Sequence, residues 1–265
     1  MSTRLDEAFA RIKVEGRTGV IPYVTAGFPS EEDTLAIVPA IEAAGADVIE
    51  LGVPYSDPLA DGPTIQAASF RALEGGMDTH RTVALAGKLR AGGVRVPLLL
   101  MGYYNPILAY GMEAYARDCA AAGVDGLIVA DLPEEEAAPL RAHLDAVGIA
   151  LVPLLAPTSP EARIAAGVAH ASGFVYCVSV AGVTGARSGL PAGLGEFVAR
   201  VRRHTPLPVA VGFGVAERAH VEALGAYADA AVVGSALISV IDSAPPAERA
   251  ARAGAFVAAL AGRTA

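Results

Sequence analysis

Short apolar runs rich in β-branched residues recur along this 265-residue chain, each followed by a segment with helical periodicity. They fall near Gly19–Thr25, Asp47–Leu51, Pro97–Tyr103, Gly126–Ala130, Ile149–Leu155, Gly173–Ser179, Pro208–Gly212 and Asp229–Val233, eight in all. Several are entered through the same turn: Ala43-Ala44-Gly45-Ala46-Asp47, Ala121-Ala122-Gly123-Val124-Asp125 and Ala146-Val147-Gly148. Glycine there suits the left-handed residue that ends a helix before a short loop into a strand. The spacing between run starts leaves room for a strand and a crossover helix each time.

The runs are apolar nearly throughout rather than alternating, as expected of parallel strands covered on both faces. Eight such units in a chain near 250 residues predict an α/β fold, a (β/α)8 TIM barrel with an N-terminal helix and extra helices. The alternative is an open doubly wound sheet, which would carry a Gly-x-Gly-x-x-Gly turn after the first strand. That turn reads Thr25-Ala26-Gly27-Phe28-Pro29-Ser30 instead. The wide gap from 51 to 97 predicts a long loop and an extra helix, and a last helix is expected near Pro246–Leu260. No linker divides the chain, so residues 1–265 are expected to form one domain.

Lys+Arg is 20 and Asp+Glu is 28, giving a net charge of 20 − 28 = −8, and no basic block occurs. Nucleic acid and anionic membrane surfaces are therefore poor partners. With 53% apolar residues, the chain has enough for a large core. No run approaches the roughly 20 residues that span a bilayer. Arg4, Asp6, Glu7 and Arg11 interleave with Leu5, Phe9 and Ile12, which predicts an amphipathic helix rather than a signal peptide. Two cysteines make no disulfide framework. A cytoplasmic protein is the expectation.

Barrel chemistry sits at the C-terminal ends of the strands. In the second run, alternation places Ile49 and Leu51 on one face and Val48 and Glu50 on the other. If the aliphatics pack under helices, Glu50 enters the barrel mouth. There an unpaired carboxylate has a raised pKa, as a general acid–base requires; pairing with an arginine at the rim is the bland alternative. The following loop holds Asp57 and Asp61 among three prolines and two glycines. Gly62-Pro63-Thr64 starts a helix, so Asp61 is either functional or part of that helix's cap. Asp57, before Pro58, reads as a turn residue. A second cluster joins Gly182-Val183-Thr184-Gly185, Gly212-Phe213-Gly214 and Gly234-Ser235. Glycine turns and a helix N-terminus at the last strands form a phosphate site, or else only tight turns.

Only two lysines exist, Lys13 and Lys88, neither at a strand end, so a Schiff-base aldolase is excluded. The five histidines, His80, His143, His170, His204 and His220, fall in helix-like segments without carboxylate clustering, so no metal is expected. Cys177 lies in an apolar run and reads as core. Two carboxylates and a phosphate clamp remain, suited to acid–base chemistry on a phosphorylated substrate that stabilises its own charge.

The segment Ile49-Glu50-Leu51-Gly52-Val53-Pro54-Tyr55-Ser56-Asp57-Pro58-Leu59-Ala60-Asp61-Gly62-Pro63 resembles the signature of the tryptophan synthase alpha chain family. Tyr103-Tyr104-Asn105-Pro106, Val129-Ala130-Asp131-Leu132-Pro133, Gly182-Val183-Thr184-Gly185 and Gly212-Phe213-Gly214 resemble it in the same order, so that the likeness runs from about residue 5 to the end. The resemblance implies a lyase that cleaves indole-3-glycerol phosphate to indole and glyceraldehyde 3-phosphate, a retro-aldol step in tryptophan biosynthesis. It implies that Glu50 handles the indole C3 and glycerol hydroxyl protons and that Asp61 accepts from the ring N–H. Tyr176 would meet the glycerol chain, and Gly185, Gly214, Gly234 and Ser235 the phosphate. Tyr23 and Phe213 would flank the ligand, Ile65, Leu100 and Leu127 would line the indole pocket, and Thr184 would meet Asp61. It also implies a beta chain in an alpha2beta2 heterotetramer that receives the indole. Pyridoxal phosphate would sit on that partner and no cofactor on this chain. Tyr23 and Tyr55 stand where some members have Phe. A phosphate-binding isomerase barrel would need another acid–base pair, and a non-catalytic activator subunit would be expected to lose Glu50 or Asp61.

Overall fold

The structure, a computed structural model, describes residues 3–178, 193–212 and 214–263. The strands are β1 (Gly19–Thr25), β2 (Ile49–Gly52), β3 (Leu98–Gly102), β4 (Gly126–Val129), β5 (Ala150–Leu151), β6 (Leu154–Leu155), β7 (Val175–Val178), β8 (Val209–Gly212) and β9 (Ala230–Val233). All pair in parallel, in the spatial order β5-β4-β3-β2-β1-β9-β8-β7-β6. The predicted barrel is present, with one difference: the fifth run is two short strands rather than one. Pro153 has no N–H for a ladder, yet the link between the halves stays bonded. Val152 N donates to Leu127 O at 2.9 Å on one side, and Pro153 O accepts from Tyr176 N at 3.0 Å on the other. β5 thus pairs with β4 and β6 with β7, closing the ring across the break.

The apolar strands serve two cores. Ile49, Leu51, Leu98, Leu100, Leu127, Val209, Val211 and Val233 pack outward under the helices. Ile21, Val48, Leu99, Ile128, Val152, Ala210, Ala230 and Val232 fill the barrel interior. Alternation is therefore real but invisible as polarity, because both faces are dry.

The first helix, α1 (Arg4–Glu15), is held by a capping box between Thr3 and Asp6 and ends at Gly16. It drives Leu5, Ala8, Phe9 and Ile12 into the N-terminal end of the barrel, where Phe9 meets Phe174 at 5.3 Å between ring centroids. Each buried large apolar side chain contributes roughly 2 kcal/mol. The outer layer is α2 (Glu31–Ala43), α3 (Pro63–Glu74), α4 (Thr79–Ala91), α5 (Tyr104–Tyr110), α6 (Met112–Ala121), α7 (Glu134–Val147), α8 (Glu161–Ala169), α9 (Leu194–Arg202), α10 (Arg218–Leu224), α11 (Ser235–Ser243) and α12 (Arg249–Ala261). The gap from 51 to 97 holds α3 and α4. The expected last helix begins as a 3-10 turn, Pro246–Glu248, before α12.

The repeated turn does two jobs. Gly45, Gly123 and Gly148 have φ of +109°, +75° and +73°, conformations favourable only to glycine. After the first two, the aspartate that follows ties the foot of the preceding strand. Asp47 Oδ2 accepts from Val20 N at 3.0 Å and Asp125 Oδ2 from Leu98 N at 2.8 Å. Asp229 Oδ2 accepts from Val209 N at 2.7 Å, and in the remaining quarter of the barrel Ser172 Oγ accepts from Leu151 N at 3.3 Å. Arginines neutralise the acids: Arg17 at 2.6 Å on Asp47, Arg90 at 2.5 Å on Asp125 and Arg202 at 2.8 Å on Asp229. Charge thus collects at the foot of the barrel, opposite the mouth.

Candidate active site

At the C-terminal mouth the barrel opens into a cavity of about 230 Å³, walled by Tyr23, Glu50, Asp61, Ile65, Met101, Tyr176, Gly212, Gly214, Val215, Val232, Gly234 and Ser235. β1, β2 and β3 set its floor. Tyr23 is in register with Glu50, and Glu50 with Leu99, so these point inward together. Glu50 is 1% exposed. Among the described residues neither of its carboxyl oxygens has a hydrogen-bond partner. No arginine among the described residues meets it, so the rim-pair alternative does not hold there. Burial pushes its pKa up to about 8, which leaves it mostly protonated at neutral pH.

Asp61 hangs over this floor from the loop between β2 and α3. The loop is internally tied: Asp61 N donates to Pro58 O at 3.0 Å, and Gln66 Nε2 donates to Asp61 O at 2.9 Å. The Asp61 side chain does not cap α3, whose N-cap is Gly62 with no side-chain bond. Burial raises its pKa to about 6, opposed by a hydrogen bond from Tyr103. Asp57 is a turn residue, as expected, with Ser56 Oγ donating to it at 2.6 Å.

Tyr23 and Tyr176 line the same cavity as Glu50, from β1 and β7, and both are buried. Their hydroxyls fill spaces left by glycines: a Cβ on Gly52 would lie 2.0 Å from Tyr23 Oη, and one on Gly212 would lie 2.4 Å from Tyr176 Oη. At the far wall, α11 presents its N-terminus through Gly234 and Ser235, beside Gly214 at φ +42°. That wall carries no basic side chain among the described residues, so an anion there would be met by backbone N–H groups and the helix dipole.

Two expected pocket residues are elsewhere. Leu100 and Leu127 are in register with each other and with Leu51, and pack outward under the helices. Their neighbours Met101 and Ile128 face inward, and Met101 lines the cavity. The parity of β3 could not be read from Leu98-Leu99-Leu100, where both faces are leucine. Ile65, Tyr176, Gly214, Gly234 and Ser235 are at the cavity. Thr184, Gly185 and Phe213 lie outside the described residues. Tyr103, at the end of β3, was seen in the sequence only as part of a motif. Cys177 faces the outer core, with burial raising its thiol to about 12. Lys13 lies on α1, and Lys88 on α4 pairs with Glu31 at 2.5 Å.

The sequence profile of one family, described as "Tryptophan synthase alpha chain", matches residues 9–261. The chain is 53% identical over 260 residues to the tryptophan synthase alpha chain of Roseiflexus sp. strain RS-1, covering 98% of this chain and 100% of that one. It is 51% identical over 254 residues to that of Chloroflexus aggregans, covering 96% and 95%. Among solved structures, tryptophan synthase subunit alpha from Legionella pneumophila superposes with a TM-score of 0.91 at 32% identity, covering 99% of this chain and 98% of that one. A Mycobacterium tuberculosis tryptophan synthase structure gives 0.90 at 38% identity, with 99% and 98% covered. With a paired-carboxylate cavity at the barrel mouth and likeness along nearly its whole length, the chain belongs to the tryptophan synthase alpha chain family.

Proposed function

We infer that this chain is a lyase that carries out the alpha reaction of tryptophan synthase in tryptophan biosynthesis, cleaving indole-3-glycerol phosphate to indole and glyceraldehyde 3-phosphate, and that residues 1–265 act as one domain. One observation carries the reading: Glu50, with a pKa near 8, and Asp61, near 6, face one cavity. At neutral pH the first is an acid and the second a base, set apart by environment. Glu50 gives its proton to C3 of the indole. Asp61 accepts from the ring N–H and stabilises the positive charge that develops there. The Glu50 carboxylate then takes the proton of the glycerol hydroxyl next to the ring. As that hydroxyl becomes the aldehyde carbonyl, the C–C bond breaks and its electron pair returns to the indole.

The phosphate is held by Gly214, Gly234 and Ser235, with Gly185 completing the site, where the start of α11 favours an anion. Tyr176 lies along the glycerol chain. Tyr23, Ile65 and Met101 flank the ring, together with Phe213, and Thr184 meets Asp61. The lyase needs no cofactor on this chain. A beta chain binds it as an alpha2beta2 complex, receives the indole and carries the pyridoxal phosphate; Lys13 on α1 and Lys88 on α4, away from the barrel mouth, are not placed to hold it.

The test is to incubate the purified chain with indole-3-glycerol phosphate and assay free indole, with and without a beta chain. Indole and glyceraldehyde 3-phosphate should appear in equal amounts. No indole under either condition would overturn the assignment.

A further inference from the structure

A second cavity, of about 360 Å³, lies between α7 and α8, beside the strand break at Val152-Pro153. The facing residues leave it open. α7 turns Ala137 and Arg141 to it, and α8 turns Arg163 and Gly167, each pair four residues apart and so on one helix face. A Cβ on Gly167 would meet only the end of the Leu155 side chain, at 3.2 Å. Leu132, Leu151, Pro153 and Leu155 make apolar walls. The cavity shares no lining residue with the catalytic one, and its volume falls in the range of pockets that take small molecules, roughly 300–1,000 Å³.

The Arg141 side chain is only 13% exposed. Among the described residues its one hydrogen bond runs from Nη2 to Glu134 Oε2 at 2.5 Å, and its buried Nε has no partner. A guanidinium carries five N–H donors, and leaving them unpaired away from water is costly. Arg163 lines the same cavity, and its contact with Glu135, at 3.4 Å, is exposed and weak. Ser159 Oγ accepts from Ala156 N at 3.2 Å, which leaves its proton to donate. The two acids at the cavity are engaged, Glu134 by Arg141 and Asp131 by Tyr104 N–H at 2.7 Å. The site therefore has donors to spare and lacks an acceptor. A phosphate, with a charge near −2, would be repelled by Asp131 and Glu134, and a sugar would leave its hydroxyls against apolar walls. We propose that this cavity binds a small monocarboxylate with an apolar body. Its carboxylate meets the guanidinium groups of Arg141 and Arg163, in the paired geometry that suits arginine. Its body lies against Leu132, Leu151, Pro153 and Leu155.

The experiment titrates the full-length chain with 3-phenylpropionate and follows side-chain methyl groups by NMR. Saturable shifts should appear at Ala137, Leu151 and Leu155, with Ile65 and Val232 of the catalytic cavity unmoved. Inorganic phosphate should not displace the probe. Arg141→Met, made together with Glu134→Gln so that no carboxylate is left unpaired, should weaken binding about tenfold, the scale of a hydrogen bond to a charged group. The uncharged 3-phenylpropanamide should bind the parent about tenfold more weakly, and the double variant should change its affinity less than about twofold. Gly167→Leu fills the cavity and should abolish binding; if it does not fold, Ala137→Leu fills it from α7. No saturable shift at Ala137, Leu151 and Leu155, or shifts confined to Ile65 and Val232, would overturn the site. An amide that binds the parent as tightly as the acid, or an affinity unchanged in the filled variant, would overturn it as well.

Discussion

The hydroxyl of Tyr23 occupies the space where a side chain on Gly52 would begin, 2.0 Å from the position of a Cβ there. Glycine ends β2 because a neighbouring strand's tyrosine needs the room, and the fit fixes the ring beside Glu50. Gly52→Ala should push Tyr23 into the cavity. Overpacking of this kind costs about 1–3 kcal/mol, and at roughly 2–4 °C per kcal/mol for a domain of this size the melting temperature should fall by several degrees. Calorimetry of Gly52→Ala, alone and with Tyr23→Leu, checks this; the second change should restore much of the loss.

Glu50 carries a stability signature apart from catalysis. Its folded pKa, about 8, lies above its ordinary value of 4.5, so the native state binds the extra proton. Stability from this group is full below pH 4.5 and is lost as pH rises through about 8. Glu50→Gln cannot ionise. Its melting temperature should therefore gain on that of the parent steadily between those limits and hold level above them, while turnover falls at least ~10²-fold. Thermal unfolding at several pH values, beside the indole assay, measures both.

The two carboxyls together predict the pH dependence of kcat/KM. Asp61 must be ionised, which sets an acid limb near 6, and Glu50 protonated, which sets an alkaline limb near 8. A bell with its maximum near neutrality is expected. Asp61→Asn should lose the acid limb along with at least ~10²-fold of the rate. A pH–rate series on both proteins decides this, and a flat profile from pH 5 to pH 9 would contradict it.

At Gly234 a Cβ would meet only ordinary contacts, the nearest being Tyr23 Cβ at 3.7 Å. Charge can thus be tested there apart from size. Gly234→Ala should bind substrate nearly as well as the parent. Gly234→Asp should bind about tenfold or more weakly, through repulsion between its carboxylate and the phosphate at the start of α11. Inorganic phosphate should compete with substrate in the parent and much less in Gly234→Asp. Steady-state kinetics and competition assays distinguish these outcomes.

The repeat of apolar run, helix and Gly-x-Asp turn was enough to specify a closed parallel barrel, because runs apolar on both faces bury only between a filled interior and a helical layer. β2 was legible to the level of single side chains, since Glu50 marks the inward parity among aliphatics. In β3 and β4 the same period of two is present without a marker. Leu99 and Leu100 are alike, and only the register with Glu50 and Leu51 decides that Met101 lines the cavity while Leu100 and Leu127 face the helices. The break at Val152-Pro153 belongs to the tertiary structure too, because whether a proline interrupts a strand depends on which neighbours take up its remaining polar groups. So does the bond from Ala60 N–H to the Tyr103 hydroxyl at 3.0 Å, whose residues are 43 apart in the chain (103 − 60) and meet only when β3 stands beside β2. A one-dimensional pattern records which residues are apolar and how often they recur. The ionisation of Glu50 and Asp61 comes instead from how far folding removes each from water, and from the donor it leaves nearby.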